Sequence, residues 1–165
     1  MGLFDKLFGS KESKEVVVTS PLTGKVIRME DVPDQAFSQK MMGDGFAIDP
    51  TSGDVHAPID AEIALVFEAT GHAVGLKTED GMEILLHFGI DTVNLQGEGF
   101  DVKVKAGDKV KAGDLLLSVD LESVKSKAPS VVTPVIFTNL AGKELSIDES
   151  LYGTEVSHGD VIVKF

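Results

Sequence analysis

Cysteine is absent from this chain, which removes disulfide frameworks, cysteine-based zinc sites and thiol nucleophiles together. Long apolar runs are missing too. Stretches such as Ile84–Leu86 and Val135–Phe137 fall far short of the roughly 18 residues needed to cross a bilayer. The opening residues Met1-Gly2-Leu3-Phe4-Asp5-Lys6-Leu7-Phe8 lack the apolar core and cleavage site of a secretory signal, so a cytoplasmic location is expected. Basic residues are few: 15 Lys and Arg stand against 27 Asp and Glu, a net charge of −12. That excess of negative charge opposes nucleic acid and favours a protein partner with a basic or mixed face.

What is present points to short strands. The chain has 165 residues, 17 of them glycine, enough to bury a core without staples. Turn residues recur at Pro21-Leu22-Thr23-Gly24, Gly43-Asp44-Gly45, Ser52-Gly53-Asp54, Asp80-Gly81 and Gly97-Glu98-Gly99, each between short apolar runs. The expected fold is all-β: an antiparallel β-sandwich or barrel with Greek-key and jelly-roll type connections and one or two short helices. Helix is expected at Asp34–Met42 and Asp120–Lys127. Ser20–Ile27 echoes Ala57–Ala64, and Val104–Asp108 echoes Val110–Asp114, so repeated strand–turn units are expected.

Residues 1–15 read as a flexible tail. Leu3, Phe4, Leu7 and Phe8 sit at one-turn spacing beside Lys6, Lys11 and Lys14, a pattern that permits weak contact with an anionic membrane. The polar linker Ser10–Glu15 then gives way to Val16-Val17-Val18, where a single folded domain of residues 16–165 is expected to begin.

Two histidines flank the strongest hairpin signal. His72–Lys77 and Met82–His87 surround Thr78-Glu79-Asp80-Gly81, and Asp-Gly favours a tight turn. A two-residue loop places His72 directly opposite His87, or diagonally adjacent with Val74 opposite. Either register sets both imidazoles on one sheet face; an odd shift or a bulge would separate them. Two adjacent imidazoles suit phosphoryl transfer, one neutral ring attacking phosphorus while the other donates a hydrogen bond to its oxygens. Apolar neighbours such as Leu85 and Phe88 favour the neutral form.

His72-Ala73, Leu85-Leu86-His87-Phe88-Gly89-Ile90-Asp91-Thr92-Val93 and Gly97-Glu98-Gly99-Phe100 resemble the glucose-family enzyme IIA of the bacterial phosphoenolpyruvate-dependent sugar phosphotransferase system. The likeness runs over residues 16–165 and includes Asp31-Val32-Pro33-Asp34, Gly43-Asp44-Gly45, Ala57-Pro58 and Thr133-Pro134-Val135 in order. The resemblance implies a phosphocarrier in which His87 takes phosphate from phosphohistidine-HPr and passes it to a cysteine of a sugar permease's IIB domain. It makes His72 the partner histidine that stabilises the transferring phosphate, with Thr70 in hydrogen-bond support. It sets Asp34 and Asp91 beside the site, and Phe37, Met41, Met42, Phe46, Leu85 and Phe88 on a partner-binding apolar rim.

The resemblance requires no cofactor. It implies zinc only at a partner interface, where His72 and His87 join a carboxylate of a regulated enzyme; regulated metabolic enzymes or transporters are thus further expected partners. Two features depart from the family pattern: Leu85 stands where an aromatic is common, and Gly71 where a larger polar residue is common.

Two other readings fit less well. The turn sequence Val104–Asp114 resembles lipoyl- and biotinyl-carrier modules, yet no lysine stands in an Asp-Lys-Ala or Met-Lys-Met context. A zinc peptidase lacks a His-x-His segment, and His56 and His158 fall in loops that look unrelated.

Overall fold

A computed structural model describes residues 16–165; the amphipathic reading of residues 1–15 lies outside the described residues. In chain order the elements are β1 (Val17–Thr19), β2 (Gly24–Arg28), α1 (Gln35–Ser38), β3 (Asp44–Pro50), β4 (Asp54–His56), β5 (Ala61–Val66), β6 (Ala73–Lys77) and β7 (Glu83–His87). There follow β8 (Phe100–Val102), β9 (Lys109–Val110), β10 (Leu115–Val119), α2 (Leu121–Lys127), β11 (Thr133–Asn139), β12 (Glu155–Val156) and β13 (Val161–Lys164). The expected all-β class and its two short helices are borne out. Both helices begin one residue later than expected because Asp34 and Asp120 serve as N-caps, their carboxylates accepting from Ala36 N (2.8 Å) and Ser123 N (3.1 Å), and the first also ends early, at Ser38, before Lys40 turns to φ 59.

Every pairing is antiparallel. One sheet runs β12-β2-β3-β11-β7-β6-β5-β9; β4-β10-β8 and β1-β13 form the others. The long sheet ends on two-residue strands at both edges, which leaves little unpaired backbone to template association.

The echoes in the sequence are structural. Val17↔Lys164 and Val18↔Val163 repeat as Asp54↔Ser118 and Val55↔Leu117, and Val156↔Gly24 repeats as Val110↔Ala61. Thr19 N–H donates to Pro58 O, and His56 N–H donates back to Pro21 O (2.9 and 2.8 Å). Two sets of strands, β1–β3 with β11–β13 and β4–β7 with β9 and β10, are therefore related by a pseudo-twofold axis between β7 and β11, where Val135 pairs with Leu86. Carried through the registers, the relation places Asp44 and Ile136 where the other half has His72 and His87. The His72–His87 pair therefore has no counterpart at the symmetry-related position.

Strand alternation divides the long sheet between two cores. Leu86, Val74, Val135, Phe46 and Ile48 face the main core. On the opposite face Ala47, Ile136 and Leu85 meet Met29, Val32 and Phe37 from the segment that includes α1. His87 shares the face of Leu85, two residues earlier, and so stands beside this second cluster.

Candidate active site

Neither expected hairpin register is present. The closing loop is Glu79-Asp80-Gly81, with Thr78 N–H donating to Met82 O at 2.8 Å, and Ala73, not His72 or Val74, pairs with His87. The cause is local: Gly81 adopts φ 94 as the third residue of a three-residue loop, and Thr78 Oγ1 accepts from Met82 N (3.0 Å). An odd register should send the two imidazoles to opposite faces. They meet nonetheless, with ring centroids 4.8 Å apart at 80°.

The reason is that both histidines sit where the pleat stops. His72 precedes the first residue of β6 and follows Gly71, whose φ is 66; His87 ends β7, and Gly89 follows at φ 74. At Gly71 an added Cβ would lie 2.8 Å from Phe100 Cβ, which explains glycine at the position where the family pattern carries a larger side chain. The loop before His72 is also pinned at Gly97, where a Cβ would come within 2.7 Å of Ala69 O.

Hydrogen bonds define the two rings differently. His87 Nδ1 lies 2.9 Å from Gly89 O. A carbonyl oxygen only accepts, so in the neutral ring Nδ1 carries the proton and Nε2 has the free lone pair. His72 Nδ1 lies 2.7 Å from Thr70 Oγ1, and a hydroxyl can serve either sense. Burial, assisted by neighbouring His87, pushes the pKa of His72 down to about 4. Burial also lowers His87, opposed by the Gly89 hydrogen bond and by the carboxylates of Asp34 and Asp91. Both rings are therefore biased to the neutral form near pH 7.

The expected site residues divide clearly. Thr70, His72 and His87 come together, Phe37 lays its ring 5.0 Å from His87, and Asp34 and Asp91 act on His87 electrostatically. Leu85 is partly buried on the His87 face. Met41 is 72% exposed and Met42 is exposed as well.

Phe46, Phe88 and Phe37 require correction as rim residues: they are 0%, 1% and 6% exposed, Phe37 lying in the second cluster. Phe88 follows His87 directly, so alternation turns it into the main core, and Phe46 faces the same way. Five further apolar side chains are exposed: Leu65, Phe67, Val93, Leu115 and Val161. A signal existed for two of them, since the run Leu65-Val66-Phe67 is too apolar for a strand with one wet face.

His56 and His158 also need correction. Their rings stack at 3.9 Å and 13°, because His56 ends β4 and His158 lies in the β12–β13 turn, whose main chain donates to Thr23 Oγ1 (3.1 Å). Among the described residues no three His, Asp or Glu side chains converge to hold a metal. No described helix is long and apolar enough to cross a membrane.

Residues 16–142 match the family described as phosphoenolpyruvate-dependent sugar phosphotransferase system, EIIA 1. The chain belongs to this family. An EIIA protein is a phosphocarrier component of sugar phosphotransfer, and the paired neutral imidazoles lie within the matched residues. A glucose-specific EIIA component of Halalkalibacterium halodurans is 51% identical over 96% of this chain and 94% of its own length. A glucose-specific EIICBA component of Staphylococcus carnosus is 44% identical over 94% of this chain, which spans 23% of that longer protein. The solved glucose permease IIA from Mycoplasma capricolum superposes with a TM-score of 0.86 at 45% identity, covering 93% of this chain and 97% of its own.

Proposed function

We propose that Nε2 of His87 is the phosphoryl acceptor of this EIIA chain. The observation that carries the reading is the His87 Nδ1–Gly89 O hydrogen bond, which leaves the Nε2 lone pair free beside the His72 ring. Phosphohistidine-HPr is the donor: its N–P bond breaks with the electron pair returning to its own nitrogen, while the lone pair of His87 forms the new P–N bond. In the second half-reaction a cysteine thiolate of a sugar-permease IIB domain attacks the same phosphorus, and the P–Nε2 electrons return to His87.

His72 serves the oxygens. With the Thr70 hydroxyl donating to His72 Nδ1, the proton of His72 sits on Nε2 and is available as a hydrogen-bond donor to the transferring phosphoryl group. No metal or nucleotide is needed for either half-reaction, because positioning and charge stabilisation supply the catalysis.

The fusion of an EIIA-like region with IIC and IIB in the Staphylococcus protein supports a IIB domain as recipient, and the relatives' glucose-specific names support a glucose permease. The exposed Met41 and Met42 and the partly buried Leu85 suit a face that receives two partners in turn. Residues 16–165 act as one EIIA domain in the cytoplasm, where HPr works. Zinc fits the pair only across an interface, since two imidazoles supply half of a tetrahedral set.

In the test, labelled phosphate is passed from HPr to variants and then to a IIB domain. His87→Ala accepts none, whereas His72→Gln accepts phosphate and fails to deliver it. Undiminished incorporation into His87→Ala overturns the assignment.

A further inference from the structure

We infer that Phe67 is a positioning residue for His72, a clamp that holds this imidazole in place and keeps water from it. The inference rests on the reading of His72 as the phosphoryl stabiliser. Its ground is a side chain that the fold itself does not require. Phe67 is 42% exposed, too open for a core phenyl, yet its ring packs against His72 with centroids 5.0 Å apart at 62°. His72 beneath it is 5% exposed.

The backbone of the same residue closes the loop that carries His72. Phe67 N–H donates to Ala73 O (3.1 Å), and Phe67 O accepts from both Thr70 N (3.2 Å) and Gly71 N (2.6 Å). Residues 67–73 thus form a closed turn in which one residue fixes the chain on either side of His72, positions Thr70, whose hydroxyl meets His72 Nδ1 at 2.7 Å, and covers the imidazole with its ring. Phe37 stands in the same relation to His87, 5.0 Å away, so four rings run Phe37, His87, His72, Phe67. An apolar ring at each end withholds water from the imidazoles between them, and desolvation disfavours the charged form of histidine. The face of a phenyl ring also attracts a cation, which works in the opposite sense. Burial heads the causes that hold His72 low, so loss of the ring favours protonation.

The test begins with the isolated full chain and needs no partner: ring-proton NMR titration of His72 in Phe67→Ala and Phe67→Leu. In Phe67→Ala the midpoint rises from about 4 towards the ordinary value, by about one pH unit or more, a tenfold gain in proton affinity. Phe67→Leu keeps apolar bulk and shows the smaller rise, and His87, covered by Phe37, titrates as before. Transfer from the phosphorylated chain to a IIB domain then shows a lower kcat at unchanged KM for Phe67→Ala. A phenyl that served docking alone would raise KM and leave the titration of His72 untouched. An unmoved or lowered His72 midpoint in both variants overturns the inference. A raised midpoint with unchanged kcat supports the clamp and counts instead against the role given to His72.

Discussion

Acid should weaken the fold through His72 in a measurable way. The residue titrates near 6.5 in an unfolded chain and at about 4 in the native one. Between those values the unfolded chain binds a proton that the native chain refuses. The stability associated with a neutral His72 is therefore complete above about pH 7 and is lost progressively as pH falls towards 4. At pH 5 the loss from this one group is about 2 kcal/mol, and by pH 4 about 3 kcal/mol. Either is a large fraction of the ~5–15 kcal/mol that holds a typical domain together. The perturbation that isolates it is His72→Gln, which keeps a polar side chain beside Thr70 but cannot titrate. Urea unfolding of both proteins at pH 7.5 and 5.0 gives four free energies; wild type should lose about 2 kcal/mol more than the variant between the two pH values. His87, also held low by burial, contributes to the acid loss in both proteins. Equal losses in the two proteins would show that His72 is not buried neutral, and the account of the site would fail with it.

Thr70→Val removes the hydroxyl at 2.7 Å from His72 Nδ1; onward transfer should slow about tenfold, the worth of one hydrogen bond, with Thr70→Ser near wild type in a stopped-flow assay. Phe46→Ala should cost about 3–5 kcal/mol in urea unfolding through the cavity it leaves, whereas Met41→Ala, at an exposed position, should change stability by less than about 0.5 kcal/mol and weaken HPr binding in calorimetry. The pKa of His56 is lowered chiefly by burial and next by His158, so His158→Ala should raise the NMR titration midpoint of His56; an unchanged midpoint would contradict the stacked arrangement.

Fold class was legible because turn residues divide the chain at short intervals and because Ser20–Ile27 recurs as Ala57–Ala64. The imidazole pair was legible as a pair, but for a reason the pairing pattern alone misstates. Alternation applied to an assumed two-residue loop leads to the right neighbours through the wrong register, since Gly81 makes the loop odd. What brings His72 across is the left-handed Gly71, an effect of one residue's φ that no periodicity encodes. Phe46 and Phe88 were misplaced because a motif names residues near a site without saying which sheet face they occupy; alternation from His87 would have turned Phe88 inward. Phe67 was overlooked because its part depends on a closed turn between residues distant from any regular element's middle.

Phosphorus and nitrogen-15 NMR on the chain phosphorylated by HPr at alkaline pH reads directly whether Nε2 of His87 carries the phosphoryl group. The expected result is a phosphorus–nitrogen coupling to Nε2 of His87 with Nδ1 still protonated and bonded to Gly89 O. Phosphate found on Nδ1 of His87, on His72 or on any other residue would contradict it.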